Sequence, residues 1–230
     1  MKHSMTLRTF SRQQKLRGCM IILLTVFTLS VFSQGVAVNL GLPSGTLWAD
    51  RNIGADSPGD YGTYFAWGET KPKSVYSWST YRYCKGTRDS LTKYCYNNSY
   101  GTVDDKTVLE TVDDAATANW GYKWRMPTPE ELKELCEKCT WTRTIYSGVN
   151  GYLVEGPNGN FIFLPAAGVR NDSSVDNVGS AGALLSASLH VSESEPLHAL
   201  FLGFDFDEDY YSEDSGEHRC FGYSVRAVVR

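Results

Sequence analysis

Cysteines, histidines and clustered carboxylates are the side chains here whose spacing can support chemistry. Cys136-Glu-Lys-Cys139 has the spacing of a redox pair. It follows an amphipathic run, however, and so falls at the negative C-terminal end of a helix, where a thiolate is disfavoured. Cys84 and Cys95 bracket the polar segment KGTRDSLTKY, which suits either a hairpin closed by a disulfide or two buried thiols. A zinc site built from Cys84, Cys95, Cys136 and Cys139 lacks a second tight pair. With Cys220, five cysteines follow residue 33, and an odd count leaves at least one thiol unpaired or intermolecular.

Hydrolytic chemistry finds no better footing. A serine nucleophile needs a base and an orienting acid beside it. Beyond residue 33 the histidines are His190, His198 and His218, all in one C-terminal segment, and the sequence contains no G-x-S-x-G elbow. They read as surface residues. The 26 acids single out no glycosidase pair. Asp205-Phe-Asp207-Glu-Asp209 mimics the opening of a calcium loop, so Asp205, Asp207 and Asp209 form the one cofactor site suggested here. Tyr210 stands where such a loop needs Gly, and Gly216 where it needs a bidentate Glu, which favours a solvated acidic hairpin.

That hairpin has a direction of its own. Nine acids and no Lys or Arg lie between Glu193 and Glu217. In the strand pattern over His198–Phe206, Leu200, Leu202, Phe204 and Phe206 alternate as a core face, which turns Phe201 and Asp205 outward. The expected ligand-binding set is Phe201, Tyr210 and Tyr211 for apolar contact, with Asp205, Asp207, Asp209 and Asp214 for charge and hydrogen bonds. Such a field suits a glycan or protein ligand of basic character.

The elements that must hold these residues are mostly short strands. Val36–Leu40, Thr46–Asn52, Thr63–Trp67, Thr140–Ile145, Tyr152–Glu155, Asn160–Leu164, Ala183–Ser188, His198–Phe206 and Phe221–Val229 are strand-like runs between Gly, Pro, Asn and Asp. Thr128-Pro129-Glu130-Glu131 is a capping box, and Leu132, Leu135, Cys136 and Cys139 follow at helical spacing. A shorter helix is expected over Asp113–Asn119. The pattern predicts one α+β domain with a mostly antiparallel sheet.

The N-terminus is a separate matter. Residues 1–33 carry 5 of the 22 Lys and Arg and none of the 26 Asp and Glu, so 17 bases face 26 acids in the remainder. That balance speaks against a nucleic-acid partner. Lys2, Arg8, Arg12, Lys15 and Arg17 precede the apolar run Met20–Phe32, and Val31-Phe32-Ser33 offers a cleavage site before Gln34. Residues 1–33 therefore read as a signal peptide and 34–230 as one domain, exported to periplasm, cell surface or medium. The 13-residue apolar run is short of the roughly 20 that a spanning helix needs. No membrane span is expected after cleavage.

Seven phrases occur in an order that resembles a known family: LGLPSGTLWADRNIGA (40–55), YGTYFAWGET (61–70), TVDDAATANWG (111–121), WRMPTPEEL (124–132), CTWTRT (139–144), FLPAAGVR (163–170) and GYSVRAVV (222–229). Together they resemble the Fibrobacter succinogenes major paralogous domain family, over about Val38 to Val229. The resemblance implies a C-type-lectin-like fold, shared with formylglycine-generating enzymes, and a bacterial cell-envelope setting. In that fold WRMPT leads into the helix and GYSVRAVV closes the sheet beside the N-terminal strand, so Trp48, Trp67, Trp120 and Trp124 are expected in the core. The formylglycine-generating oxidases pair two cysteines near the C-terminus, where this chain has only Cys220. The sugar-binding lectins' calcium triplet is also missing, since Glu195-Pro196 is followed by Leu197. Relatives of this fold use the C-terminal part as a ligand face; where they commonly read G-Y-Y-W-S-S-S, this chain has Gly182-Ala-Leu-Leu-Ser186-Ala187-Ser188. The resulting expectation is a non-catalytic binding module of the envelope, with a structural subunit of an envelope or pilus-like assembly as the alternative.

Overall fold

Short strands separated by glycine-bearing turns lead to several small sheets rather than one large one. The computed structural model describes residues 33–206 and 210–229, except for the side chains of 210–215. The signal-peptide reading of residues 1–33 therefore lies almost wholly outside the described residues, as do Asp207 and Asp209.

The strands are β1 (Ala37–Asn39), β2 (Leu47–Ala49), β3 (Tyr64–Phe65), β4 (Thr140–Tyr146), β5 (Val149–Glu155), β6 (Phe161–Pro165), β7 (Val169–Asn171), β8 (Ser174–Asp176), β9 (Ala181–Leu189), β10 (His198–Asp205), β11 (Tyr210–His218), β12 (Tyr223–Ser224) and β13 (Val228–Val229). The largest sheet has the order β11-β10-β9-β12-β3, and β1-β2-β13, β4-β5-β6 and the β7–β8 hairpin complete the set. Apart from the parallel contact of β12 with β9 at Ser224 and Leu184, the named strands pair antiparallel. The described residues are thus mixed α+β, with two α-helices among them. The C-terminal strand β13 pairs with β2, placing Val228 opposite Trp48, so β1 and β13 flank the same strand. Three strands, β7, β8 and β11, lie in segments that carry no apolar alternation for sequence reading to detect.

Both helices start where their caps dictate. In α1 (Ala115–Trp120), the Asp114 carboxylate accepts from Thr117 N at 2.9 Å and, from the following loop, Met126 N at 2.8 Å. In α2 (Pro129–Lys138), Thr128 caps Glu131 N while the Glu131 carboxylate accepts from Thr128 N at 2.9 Å. That carboxylate is almost fully buried, and Arg125 meets it with two bonds of 2.7 and 2.6 Å. The charge-assisted pair and the capping box are one structure, which anchors the loop before α2 to its first turn.

The largest sheet is covered on both faces. Trp67, Tyr94, Trp120, Trp124, Phe201 and Tyr223 belong to one apolar cluster, and Trp48, Leu132, Leu135, Tyr152, Leu202 and Phe204 to another. The four tryptophans expected in the core are there. Consecutive residues Phe201 and Leu202 serve opposite clusters, and β10 carries register shifts between Ala199 and Phe201 and between Phe201 and Gly203. Phe201 is therefore buried rather than outward, because the face assigned to solvent is covered by the Trp67 cluster.

Candidate functional site

The outer end of this sheet holds a cavity of about 350 Å³. Ala181, Gly182 and Ala183 of β9 supply small side chains, and Phe201 with Gly203 to Asp205 of β10 continue the lining. Gly168 and Val169 close one side beside the β7–β8 hairpin, and Tyr223 and Glu217 line the other. Glycine at 182 is demanded by packing, since a Cβ there would sit 2.4 Å from the Phe204 ring. Small residues on one strand opposite aromatic ones on its neighbours are what leave the space open.

Phe201 and Tyr223 stack within this lining, with centroids 5.6 Å apart and planes at 15°. Burial, with Glu217 nearby, holds the Tyr223 phenol well above its usual range, so its hydroxyl stays neutral. Asp205 is half-buried, and its backbone carbonyl accepts from the Tyr152 hydroxyl at 3.2 Å. Glu217 is exposed. An aromatic floor with carboxylates along its rim matches a cationic group on an apolar stem. The volume is near the lower end of ligand pockets, roughly 300–1,000 Å³, and admits one long side chain or one sugar ring.

Of the residues expected in a binding set, the structure brings Phe201 and Asp205 into one cavity. Tyr210 and Tyr211 lie on β11, whose backbone pairs them with Asp205 and Phe204, and Asp214 is on the same strand. Their side chains lie outside the described residues, as do Asp207 and Asp209. The calcium reading joins Asp205 to Asp207 and Asp209, of which only Asp205 is among the described residues. Tyr223 and Glu217 were outside the expected binding set, whereas Gly182 and Ala183 belong to the segment that the resemblance marks as a ligand face. Periodicity alone does not reveal the pocket, because a wall made of Gly and Ala carries no chemical signature of its own.

Cys84 and Cys95 are free thiols. Cys84 pairs with Leu91 in an isolated bridge, so the polar segment folds back before Cys95 is reached. The thiols instead donate to nearby carbonyls, Cys84 to Trp78 O at 2.9 Å and Cys95 to Asn97 O at 3.1 Å. At the end of α2, burial and the Glu134 carboxylate push the Cys139 thiol up to about 11, which keeps it protonated at neutral pH. Burial likewise raises Cys220, to about 12.

The three histidines, read from sequence as surface residues of one C-terminal segment, are half-buried and lie close together. His198 faces His218 across β10 and β11, with ring centroids 4.7 Å apart. His190 directly follows β9, and its backbone N–H donates to His198 O at 3.2 Å. Burial and the neighbouring His198 lower the pKa of His218. Glu195 reaches both of the other rings, its Oε2 lying 3.1 Å from His190 Nδ1 and 3.4 Å from His198 Nδ1. The spacing 190, 195, 198 was visible in sequence. Its convergence depends on the β9–β10 connection turning back on itself.

No helix among the described residues is long and apolar enough to cross a membrane. No family model, curated protein or solved structure matches the chain.

Proposed function

We propose that this chain is an exported, non-catalytic ligand-binding module of the bacterial cell envelope, and that its ligand enters the cavity between β9, β10 and β12. The C-type-lectin-like architecture implied by the seven ordered motifs supports that reading, since relatives of that fold bind through their C-terminal part. The observation that carries it is the stacked Phe201–Tyr223 pair in a cavity also lined by Asp205 and Glu217. That lining favours an amine- or guanidinium-bearing group presented by a glycan or a protein. A cation over an aromatic face contributes about 0.5–2 kcal/mol, and the carboxylates add orientation and steering.

A capture screen over amino-sugar glycans, neutral glycans and Lys- or Arg-rich peptides tests this proposal. Ala181→Trp, which fills the cavity, and the Asp205→Asn/Glu217→Gln double variant are each expected to weaken capture at least about tenfold, or about 1.4 kcal/mol. Far-UV circular dichroism verifies that both remain folded. Asp207→Asn, Asp209→Asn and Asp214→Asn combined should weaken capture less and mainly flatten its salt dependence. Full capture by the filled-cavity variant, with loss confined to the triple variant, would move the site to the acidic hairpin.

A further inference from the structure

The β9–β10 connection holds a group of side chains that the cavity does not use. His190, Glu195 and His198 each offer a donor atom, and these atoms all lie within 4.8 Å of one another. We propose that they form a binding site for a divalent transition metal of the zinc class, with Glu195 Oε2 and the Nδ1 atoms of His190 and His198 as ligands.

Three independent features converge on this assignment. The first is spacing. With metal–ligand bonds of about 2.0–2.2 Å, the edge of a tetrahedron is roughly 3.3–3.5 Å. The two imidazole nitrogens stand 3.1 and 3.4 Å from the shared carboxylate oxygen, close to that edge. The second is orientation. Both Nδ1 atoms are shielded from solvent and make no well-aligned hydrogen bond, their polar neighbour being Glu195 Oε2. A shielded nitrogen without a hydrogen bond costs free energy that a metal bond would recover. The third is scaffolding. The Tyr96 hydroxyl accepts from Ser192 N at 3.1 Å and lies within hydrogen-bond distance of His190 O and Ser192 O. His198 N donates to Glu195 O at 3.1 Å, and Pro196 and Leu197 are buried. The loop backbone is thus held while the three side chains, partly open to solvent, adjust by the ångström or so that closing on an ion requires.

The donor set also selects the ion. Two imidazoles and one carboxylate suit zinc and its neighbours in the first transition row, whereas calcium and magnesium call for oxygen ligands. Three protein ligands leave a fourth position for water or for a donor group of a bound partner. Where it forms, the site clamps the neck of the β9–β10 hairpin, and the His198–His218 contact carries that constraint to β11. This inference does not depend on the cavity's ligand.

Calorimetric titration of the chelator-treated protein with zinc chloride is the direct test. One ion per chain is expected, with a rise in the thermal midpoint on saturation, because an ion that binds the folded state stabilises it. Removing a partner that merely orients a ligand lowers affinity about 10–100-fold, so His190→Ala/His198→Ala should lose more than about 100-fold and Glu195→Gln at least about tenfold. Calcium chloride should give neither heat nor a midpoint shift. Cobalt substitution guards against binding at Cys84, Cys95, Cys136, Cys139 or Cys220, since a thiolate charge-transfer band would place the metal on sulfur and overturn the assignment. Zinc affinity unchanged in the double variant would overturn it equally. Should that variant fail to fold, nitrogen-15 spectra of the histidine rings in the unaltered protein decide. Zinc must shift the Nδ1 resonances of two histidines, His190 and His198, and a spectrum indifferent to zinc refutes the site.

Discussion

Replacing Glu131 with Gln changes little in volume and should cost more than any single helix cap does. Oε2 accepts from Arg125 at 2.7 Å and from Thr128 N at 2.9 Å, while Oε1 accepts from Arg125 at 2.6 Å and from the Thr46 hydroxyl at 2.7 Å. A carboxylate serves both pairs of donors. An amide serves one pair with its oxygen and presents N–H groups to the other, whichever way it is turned. The Arg125 N–H of that pair then loses its acceptor, as does Thr128 N if the amide faces it, in a site where Glu131 is 3% exposed, and Arg125 keeps a charge without its counter-ion. Unsatisfied buried groups cost about 1–3 kcal/mol each, and a broken buried ion pair about 3–5 kcal/mol, so we expect about 3–5 kcal/mol in total. In a domain of this size that lowers the thermal midpoint by roughly 10 °C, at about 2–4 °C per kcal/mol.

Urea denaturation of both proteins across pH gives the sign. Burial opposes the Glu131 charge, but the hydrogen bonds from Arg125, Thr128 and Thr46 outweigh it and hold the carboxyl below its usual range. A depressed folded-state pKa means stability that is complete above the unfolded value, about 4.3, and lost as pH falls through the folded one. The gap between the two proteins should be constant from pH 7 to about 5 and narrow below about pH 4. A loss under about 1 kcal/mol at pH 7, or a gap that does not narrow in acid, would refute the view that this carboxylate is the charged centre of the capping box.

Thr128→Ala should cost about 0.5–2 kcal/mol through the cap alone, whereas Leu132→Ala or Leu135→Ala, both fully buried, should cost about 2–5 kcal/mol; urea midpoints rank them. Phe201→Ala should destabilise by about 3–5 kcal/mol, since the ring is buried and stacked on Tyr223, and an unchanged midpoint would return it to the surface. Intact-mass analysis of protein exported by a bacterial host should show a chain beginning at Gln34, and retention of Met20–Phe32 would defeat the signal-peptide reading.

Local chemistry made much of this protein legible in its sequence. Thr128-Pro129-Glu130-Glu131 defines the start of α2 because a capping box is satisfied within four residues, whatever lies around it. The shorter helix expected over Asp113–Asn119 is α1, displaced to Ala115–Trp120 because Asp114 serves as its cap, and the strands from β4 to β6 followed from alternation bounded by turns. What lies beyond a few residues' reach had to wait for the tertiary structure. Phe201 was assigned to solvent because alternation assumes one covered face, whereas β10 is covered on both and bulged twice. Cys84 and Cys95 looked like a hairpin's two ends until Leu91 took the place opposite Cys84. The cavity depends on Ala181, Gly182 and Ala183 facing Phe201 and Tyr223, residues up to 42 positions apart whose types announce nothing. His190, Glu195 and His198 converge because the β9–β10 connection reverses over Tyr96, itself 94 residues from His190. Capping and alternation are decided by bonds within one or two turns of chain; a pocket or a cluster of ligands is decided by which distant segments the packing of two apolar layers brings together.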